Sequence, residues 1–173
     1  MLIRGSVPLF WSQTGINQSV EIDTNGERNQ EAFKRHMNKL IAHYQRVLCV
    51  NLLCLDKRGE DDLTYGFEKL VKDTNYKELR YEFFDVHCAA KGQKFEHCNY
   101  LVTQKVQGII RGFGFYQEDM TGAGTVNSLQ NGIIRVNCLD NLDRTNLIQS
   151  KIAYQALNSM LDKLGFDVKK ITG

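Results

Sequence analysis

Three things are scarce in this chain, and each scarcity excludes something. Long apolar runs are absent: the longest, Val47 to Leu55, is broken by Asn51 and falls far short of the roughly 20 residues that cross a bilayer. Charge of one sign is not in excess; a net charge of +2 gives no electrostatic case for nucleic acid as a partner. Proline occurs once, at Pro8. There are no internal repeats, no low-complexity tract and no secretory signal. With no such signal, the five cysteines, an odd count that cannot all pair, read as reduced cytosolic thiols. What remains is ordinary globular material, 42% hydrophobic and 24% charged, sized for one domain.

The apolar pattern alternates between helix and strand. Glu31–Tyr44 places Phe33, Met37, Leu40, Ile41 and Tyr44 on one helical face, and Val47–Leu55 reads as a strand covered on both sides. Asp61–Asp73 is a second helix with Leu63, Phe67, Leu70 and Val71 inward, Arg80–Val86 a strand, and Lys94–Ile110 a third helix. A short strand over Phe113–Gln117 and a Gly-rich loop over Thr121–Asn127 follow. Together these predict an α/β fold, a layered sheet flanked by helices, with its site at the carboxyl ends of the strands. Pro8 and the polar stretch Ser12–Asn29 predict an extended, partly mobile segment near the start.

One line of sequence carries chemistry. Gly132–Asn137 has the β-branched enrichment of a buried strand, and Ile148, Ile152, Ala156, Met160 and Leu164 recur at helical spacing after it. Between them stand Cys138 and Arg144, with five residues separating the two, followed by Thr145. A loop of that length wraps a phosphate-sized anion in backbone N–H groups at a helix N-terminus, here those of Leu139, Asn141 and Leu142. Arg144 can hold two phosphoryl oxygens at once. The same surroundings favour thiolate at Cys138, the form that attacks phosphorus to give a phosphocysteine. Thr145 is placed to hydrogen-bond the sulfur as it leaves. Asp140 or Asp143 can protonate the departing alkoxide. No metal is needed and no cofactor is implied. A Cys-x5-Arg spacing alone arises easily by chance, and most buried cysteines are small core hydrophobes; the strand before and helix after are what set this one apart.

The wider string, Arg135-Val136-Asn137-Cys138-Leu139-Asp140-Asn141-Leu142-Asp143-Arg144-Thr145-Asn146, closely resembles the signature of the Sac-type phosphoinositide phosphatases, Arg-x-Asn-Cys-x-Asp-Cys-Leu-Asp-Arg-Thr-Asn. Arg4–Trp11, Val50–Leu53, Phe84–His87 and Gln130–Gly132 resemble that family too, in its order. The departure is Asn141, where the family has a second cysteine. The resemblance implies a cysteine-phosphatase-like P-loop between a strand and the last helix. It also implies hydrolysis of inositol-lipid phosphates, at the cytosolic face of a membrane to which the protein is peripheral. It implies further that residues 1–173 correspond to the C-terminal, catalytic portion of a longer domain whose N-terminal portion is a required partner. Likeness to the myotubularin-type loop favours Asp143 over Asp140 as the acid. The absence of lysine in the loop points to monophosphates such as phosphatidylinositol 4- or 3-phosphate. A protein tyrosine phosphatase and a non-catalytic lipid-binding or scaffolding piece are the rival readings.

Other residues carry weaker signals. His87-Cys88 and His97-Cys98 invite zinc, but their spacing matches no common structural site, and Cys98 reads as helix packing. His87 reads as a structural histidine near the strand ends. Arg4 reads by default as a salt-bridging residue, with a head-group phosphate as the alternative. Lys57, Arg58, Lys91 and Lys94 read as solvated surface, with a basic rim for anionic lipid as the alternative. Asn137 and Asn146 read as hydrogen bonders that shape the loop.

Overall fold

The computed structural model describes residues 2–14, 20–86, 96–121 and 124–166. Its elements run β1 (Leu2–Arg4), β2 (Trp11–Gln13), β3 (Val20–Ile22), α1 (Gly26–Tyr44), β4 (Val47–Asn51), α2 (Glu60–Thr74) and β5 (Leu79–Phe83). Then come α3 (Glu96–Tyr100), a π-helical stretch (Leu101–Val106), α4 (Gln107–Phe113), β6 (Gln117–Asp119), β7 (Thr125–Ser128), β8 (Ile133–Asn137) and α5 (Asp143–Lys163).

β4 and β8 are the centre, buried at every position, as their β-branched, nearly unbroken apolar runs dictate. They pair in parallel from Val47 opposite Ile133 to Asn51 opposite Asn137. β1 and β5 flank them, also in parallel, giving the order β1-β8-β4-β5. Because side chains alternate across a strand, this sheet feeds two cores. Val47, Cys49 and Ile133 face Phe33 and Met37 of α1 and Leu63 and Phe67 of α2. Leu48, Val50, Ile134 and Val136 face Val102, Val106 and Ile110 of the broken helix and Ile148 and Ile152 of α5. The result is helix, sheet and helix in three layers, the α/β arrangement that the alternating pattern predicts.

Several expectations shift. The Phe113–Gln117 strand does not form: Phe113 ends α4, and the strand begins at Gln117 and pairs antiparallel with Thr125–Ser128 inside the expected Gly-rich loop. Phe113 turns inward to the core as the last residue of α4, only 7% exposed, so its apolarity reflects helix packing and not a strand. Of the polar stretch 12–29, residues 12–14 and 20–29 are described. Ser12 and Gln13 pair with Val20 and Glu21, and α1 begins at Gly26, capped by the Asn25 side chain accepting from Arg28 N–H. The three-residue β1 went unread as a strand because it is too short to show a period.

Candidate functional site

The four parallel strands end on one edge, and the next stretch of chain after β8 returns there as a loop into α5. Cys138 is the first residue of that loop and is completely buried. Its sulfur has two partners: the Thr145 hydroxyl donates to Sγ at 3.1 Å, and the thiol donates to Asp140 Oδ1 at 3.1 Å. Asp140 Oδ1 also accepts from Leu142 N–H at 3.1 Å. Partial burial works against the Asp140 carboxylate, but the bonds from Cys138 and Leu142, with the nearby Arg144 charge, outweigh it and hold its pKa below the usual carboxylate value. The other described cysteines are buried away from the loop. Burial pushes Cys49 up to about 11 and raises Cys54 and Cys98, so all three are inert core thiols at neutral pH.

Arg144 is half-buried and held by a residue that carried no signal in the sequence. Its Nη1 and Nη2 donate to Glu60 Oε2 and Oε1 at 2.7 and 3.1 Å, and Nη1 also donates to Leu52 O at 3.2 Å. Glu60 is the first residue of α2, is 2% exposed, and also accepts from Cys54 N–H at 2.7 Å. Burial disfavours the Arg144 charge, and the Glu60 carboxylate more than restores it. Of the five guanidinium donors, these three bonds leave Nε–H and one Nη2–H, which lie together on one edge. A second fork therefore stays open for an oxyanion. α5 begins with Leu142 as its cap and no side-chain capping bond, so the N–H groups of its first turn are uncommitted by side chains.

The rest of the loop is placed as follows. Leu139 is half-buried against the α1–α2 core, Leu142 is 56% exposed, and Asp143 is exposed with no hydrogen bond to any described residue. Asn141 adopts φ 57°, a left-handed conformation that asparagine tolerates and most residues resist. With its amide turned to suit its neighbours, Nδ2 donates to Gly5 O at 3.0 Å and Oδ1 accepts from Ser6 N–H at 3.3 Å. A cysteine could make neither bond as well. Arg4 reaches the same loop, its Nη1 donating to Asn141 O at 3.2 Å; the default expectation of a salt bridge for Arg4 is not met by any described residue.

Beneath the loop runs a buried polar chain. Arg135 donates to Asn137 Oδ1 at 3.4 Å, to Ser6 O, and to His36 Nε2 at 3.2 Å. Asn137 donates to Asn51 Oδ1 at 2.7 Å, and Asn51 to Tyr81 OH and Thr64 Oγ1 at 3.0 and 3.2 Å. Asn137 thus shapes the loop from below, while Asn146 is exposed on α5. Cys98 packs in the core at 0% exposure. His87, Cys88, Lys91 and Lys94 lie outside the described residues, as does the His97 side chain; Lys57 and Arg58 are exposed between β4 and α2. Among the described residues no three His, Cys, Asp or Glu side chains converge as a metal site, and no helix is long and apolar enough to cross a membrane.

Comparison with known proteins supplies the family. The chain is 37% identical over 174 residues to synaptojanin-2 of Rattus norvegicus, covering 98% of this chain and 11% of that protein. It is 35% identical over 171 residues to synaptojanin-1 of Homo sapiens, covering 96% and 11%. It is 36% identical over 165 residues to the phosphatidylinositide phosphatase SAC2 of Danio rerio, covering 94% and 14%. The chain thus spans only 11% to 14% of these relatives' length. Residues 1–91 match the SacI homology domain, a match that ends before the Cys138 loop. On these grounds the chain belongs to the SacI homology domain family.

Proposed function

We propose that this chain is the catalytic, C-terminal portion of a Sac phosphatase domain, and that it hydrolyses phosphate from inositol-lipid head groups through a phosphocysteine on Cys138. The observation that carries this reading is the Cys138 sulfur held by Thr145 and Asp140 at 3.1 Å each, beside an arginine with two N–H groups uncommitted to any described residue. Cys138 to Arg144 acts as a cysteine-phosphatase P-loop: the open edge of Arg144 and the first N–H groups of α5 hold the phosphoryl oxygens. Backbone groups of Leu139, Asn141 and Leu142 wrap the anion.

Substrate entry requires Asp140 to swing off the sulfur, since Cys138 is covered in the free protein. As Asp140 moves off, the thiol proton is lost to solvent; the Cys138 thiolate then attacks, the sulfur–phosphorus bond forms, and the phosphorus–oxygen bond to the inositol breaks. Asp143, free of other bonds, protonates the departing alkoxide. Asp140 suits that role less well, because the bonds from Cys138 and Leu142 favour its ionised form. Water then clears the phosphocysteine while Thr145 supports the leaving sulfur. The residues present call for no metal or cofactor step. The exposed Leu142 at the mouth of the loop suits contact with a cytosolic membrane surface, from which the lipid is drawn. The remainder of the domain in a longer protein is a required partner, and monophosphates are the preferred substrates.

The test is phosphate release from short-chain phosphoinositides with chelator present, comparing the chain with Cys138→Ser. Release that depends on Cys138 is expected, with an acidic-to-neutral optimum because Asp143 must arrive protonated. Asp143→Asn should slow inositol phosphates at least tenfold more than aryl phosphates, whose leaving groups need no proton; equal losses would remove Asp143 from the acid role. The full burial of Cys138 favours one rival, a non-catalytic head-group-binding piece. Binding without any release from a folded sample would select it. Faster release from a phosphotyrosine peptide would instead select a protein tyrosine phosphatase.

A further inference from the structure

The loop that would receive a phosphate is short of positive charge. Arg144 is its only cation, and the buried Glu60 neutralises that charge through a bidentate pair. Asp140 and Asp143 are exposed on the same loop and stand uncompensated within it. An anionic substrate approaching Cys138 therefore meets net negative potential unless a cation comes from elsewhere.

Arg4 supplies it. It is the last residue of the edge strand β1 and pairs with Val136, two residues before Cys138. Partners in a parallel register point to the same side of the sheet, and Leu2, Ile134, Val136 and Cys138 all belong to the α5-side core. Arg4 thus projects on the Cys138 face, at the strand end where the loop begins. A single hydrogen bond, Nη1 to Asn141 O at 3.2 Å, fastens it there. The left-handed Asn141 turns that carbonyl outward while its amide is fixed to Gly5 and Ser6. Arg4 is solvent-exposed and forms no ion pair with any described carboxylate. Its Nε–H, its two Nη2–H and one Nη1–H are uncommitted to any described residue, again a fork suited to an oxyanion.

We propose that Arg4 is a substrate-recognition residue that binds a second anionic group of the same molecule whose phosphomonoester sits over Cys138, so that the site selects head groups with at least two anionic centres. This rests on the phosphatase reading above. The second anion is either the phosphodiester every phosphoinositide carries or a neighbouring ring phosphate. In both cases a substrate with one phosphate and nothing else gains nothing from Arg4.

The experiment measures kcat/KM for wild type, Arg4→Ala and Arg4→Lys on four substrates. These are short-chain phosphatidylinositol 4-phosphate, inositol 4-phosphate, inositol 4,5-bisphosphate and an aryl phosphate. Arg4→Ala is expected to lose about tenfold or more on the lipid, the scale of one charge-assisted fork, and to stay within about twofold on the aryl phosphate and inositol 4-phosphate. Arg4→Lys, a point charge without the fork, should fall between. Loss on the lipid alone assigns the phosphodiester, loss on the bisphosphate alone assigns a ring phosphate, and loss on both means that Arg4 takes either anion. Equal losses on all four substrates, or none on either dianionic-centre substrate, overturn the proposal. Calorimetric binding in a Cys138→Ser background keeps the two readings apart. With no turnover on any substrate the phosphatase reading fails, while Arg4 is still decided. Arg4→Ala should weaken the short-chain lipid or inositol 4,5-bisphosphate about tenfold and leave inorganic phosphate unchanged, and equal affinities for both the lipid and the bisphosphate would overturn it.

Discussion

At the scale of single residues, the site depends on an acid that no motif announces. Glu60 is 2% exposed and its two oxygens serve three donors: Arg144 Nη1, Arg144 Nη2 and Cys54 N–H. Removing it strands a half-buried guanidinium and a buried amide together. Breaking one side of a buried pair typically costs 3–5 kcal/mol, and the 19% exposure of the Arg144 side chain places this pair at the lower end. Glu60→Ala is therefore expected to lose about 3 kcal/mol in urea unfolding. Glu60→Gln should lose less, about 2 kcal/mol, since an amide keeps one acceptor but turns a donor toward Arg144 or Cys54. If Glu60→Ala unfolded at the wild-type midpoint, the pair would be an ornament of the fold rather than the support of Arg144. In the sequence, Glu60 stands just before the helix expected over Asp61–Asp73 and nothing there marks it for burial. Its burial depends on where α2 docks, 84 residues away from Arg144 along the chain, and one-dimensional spacing cannot show that. Cys138, Arg144 and Thr145 were legible for the opposite reason: all three lie on one short loop, where local spacing sets geometry.

At the scale of elements, what could be read depended on how completely an element is buried. β4 and β8 were plain because burial on both faces leaves an unbroken apolar run. α1 and α2 were plain because one face each is apolar over several turns. The hairpin of β6 and β7 was missed because its strands are half-exposed and polar, with no run and no alternation to find. β1 was missed through brevity, though it brings Arg4 to the site. Gly132, which opens β8, shows how closely the neighbouring element fits. A Cβ there would fall within the Phe113 ring, which closes the end of α4 and lies under Arg46 at 5.1 Å. Arg46 in turn donates to Gly112 O at 2.6 Å and Asn131 O at 3.1 Å. The atoms met are Cγ and both Cδ carbons at the root of the ring, so relief requires Phe113 itself to shift. Gly132→Ala is expected to destabilise the chain by about 1–3 kcal/mol, the usual result of overpacking, with the loss shared by α4 and the start of β8. Denaturant midpoints would measure it, and a companion Phe113→Leu, by removing the ring, should recover part of the loss. Absence of any recovery would place the strain elsewhere.

At the scale of the whole molecule, one buried cation ties three regions together, and it makes stability depend on pH. Arg135 stands on the central strand β8 at 2% exposure and reaches the segment after β1 through Ser6 O and helix α1 through His36 Nε2. To accept from Arg135 Nε–H, the His36 nitrogen must be unprotonated. Burial first, then the charges of Arg135 and Lys39, lower the His36 pKa from 6.5 to about 4. In the unfolded chain the imidazole takes up a proton near pH 6.5. Between those values the unfolded state holds more protons than the folded one, so stability rises with pH across that window and is lost as pH falls from 6.5 toward 4. His36 is only partly buried, and after allowance for solvent screening the loss is about 1–2 kcal/mol. His36→Gln offers Arg135 an amide oxygen in place of the ring nitrogen and does not titrate. Its unfolding free energy should therefore vary less with pH between 6.5 and 4 than that of the wild type, while both respond alike above pH 7. Asp140, whose pKa is depressed, is common to both proteins and cancels in the difference. Parallel curves across the acidic window would mean that the folded state tolerates His36 protonated, with Arg135 held by Ser6 and Asn137 alone.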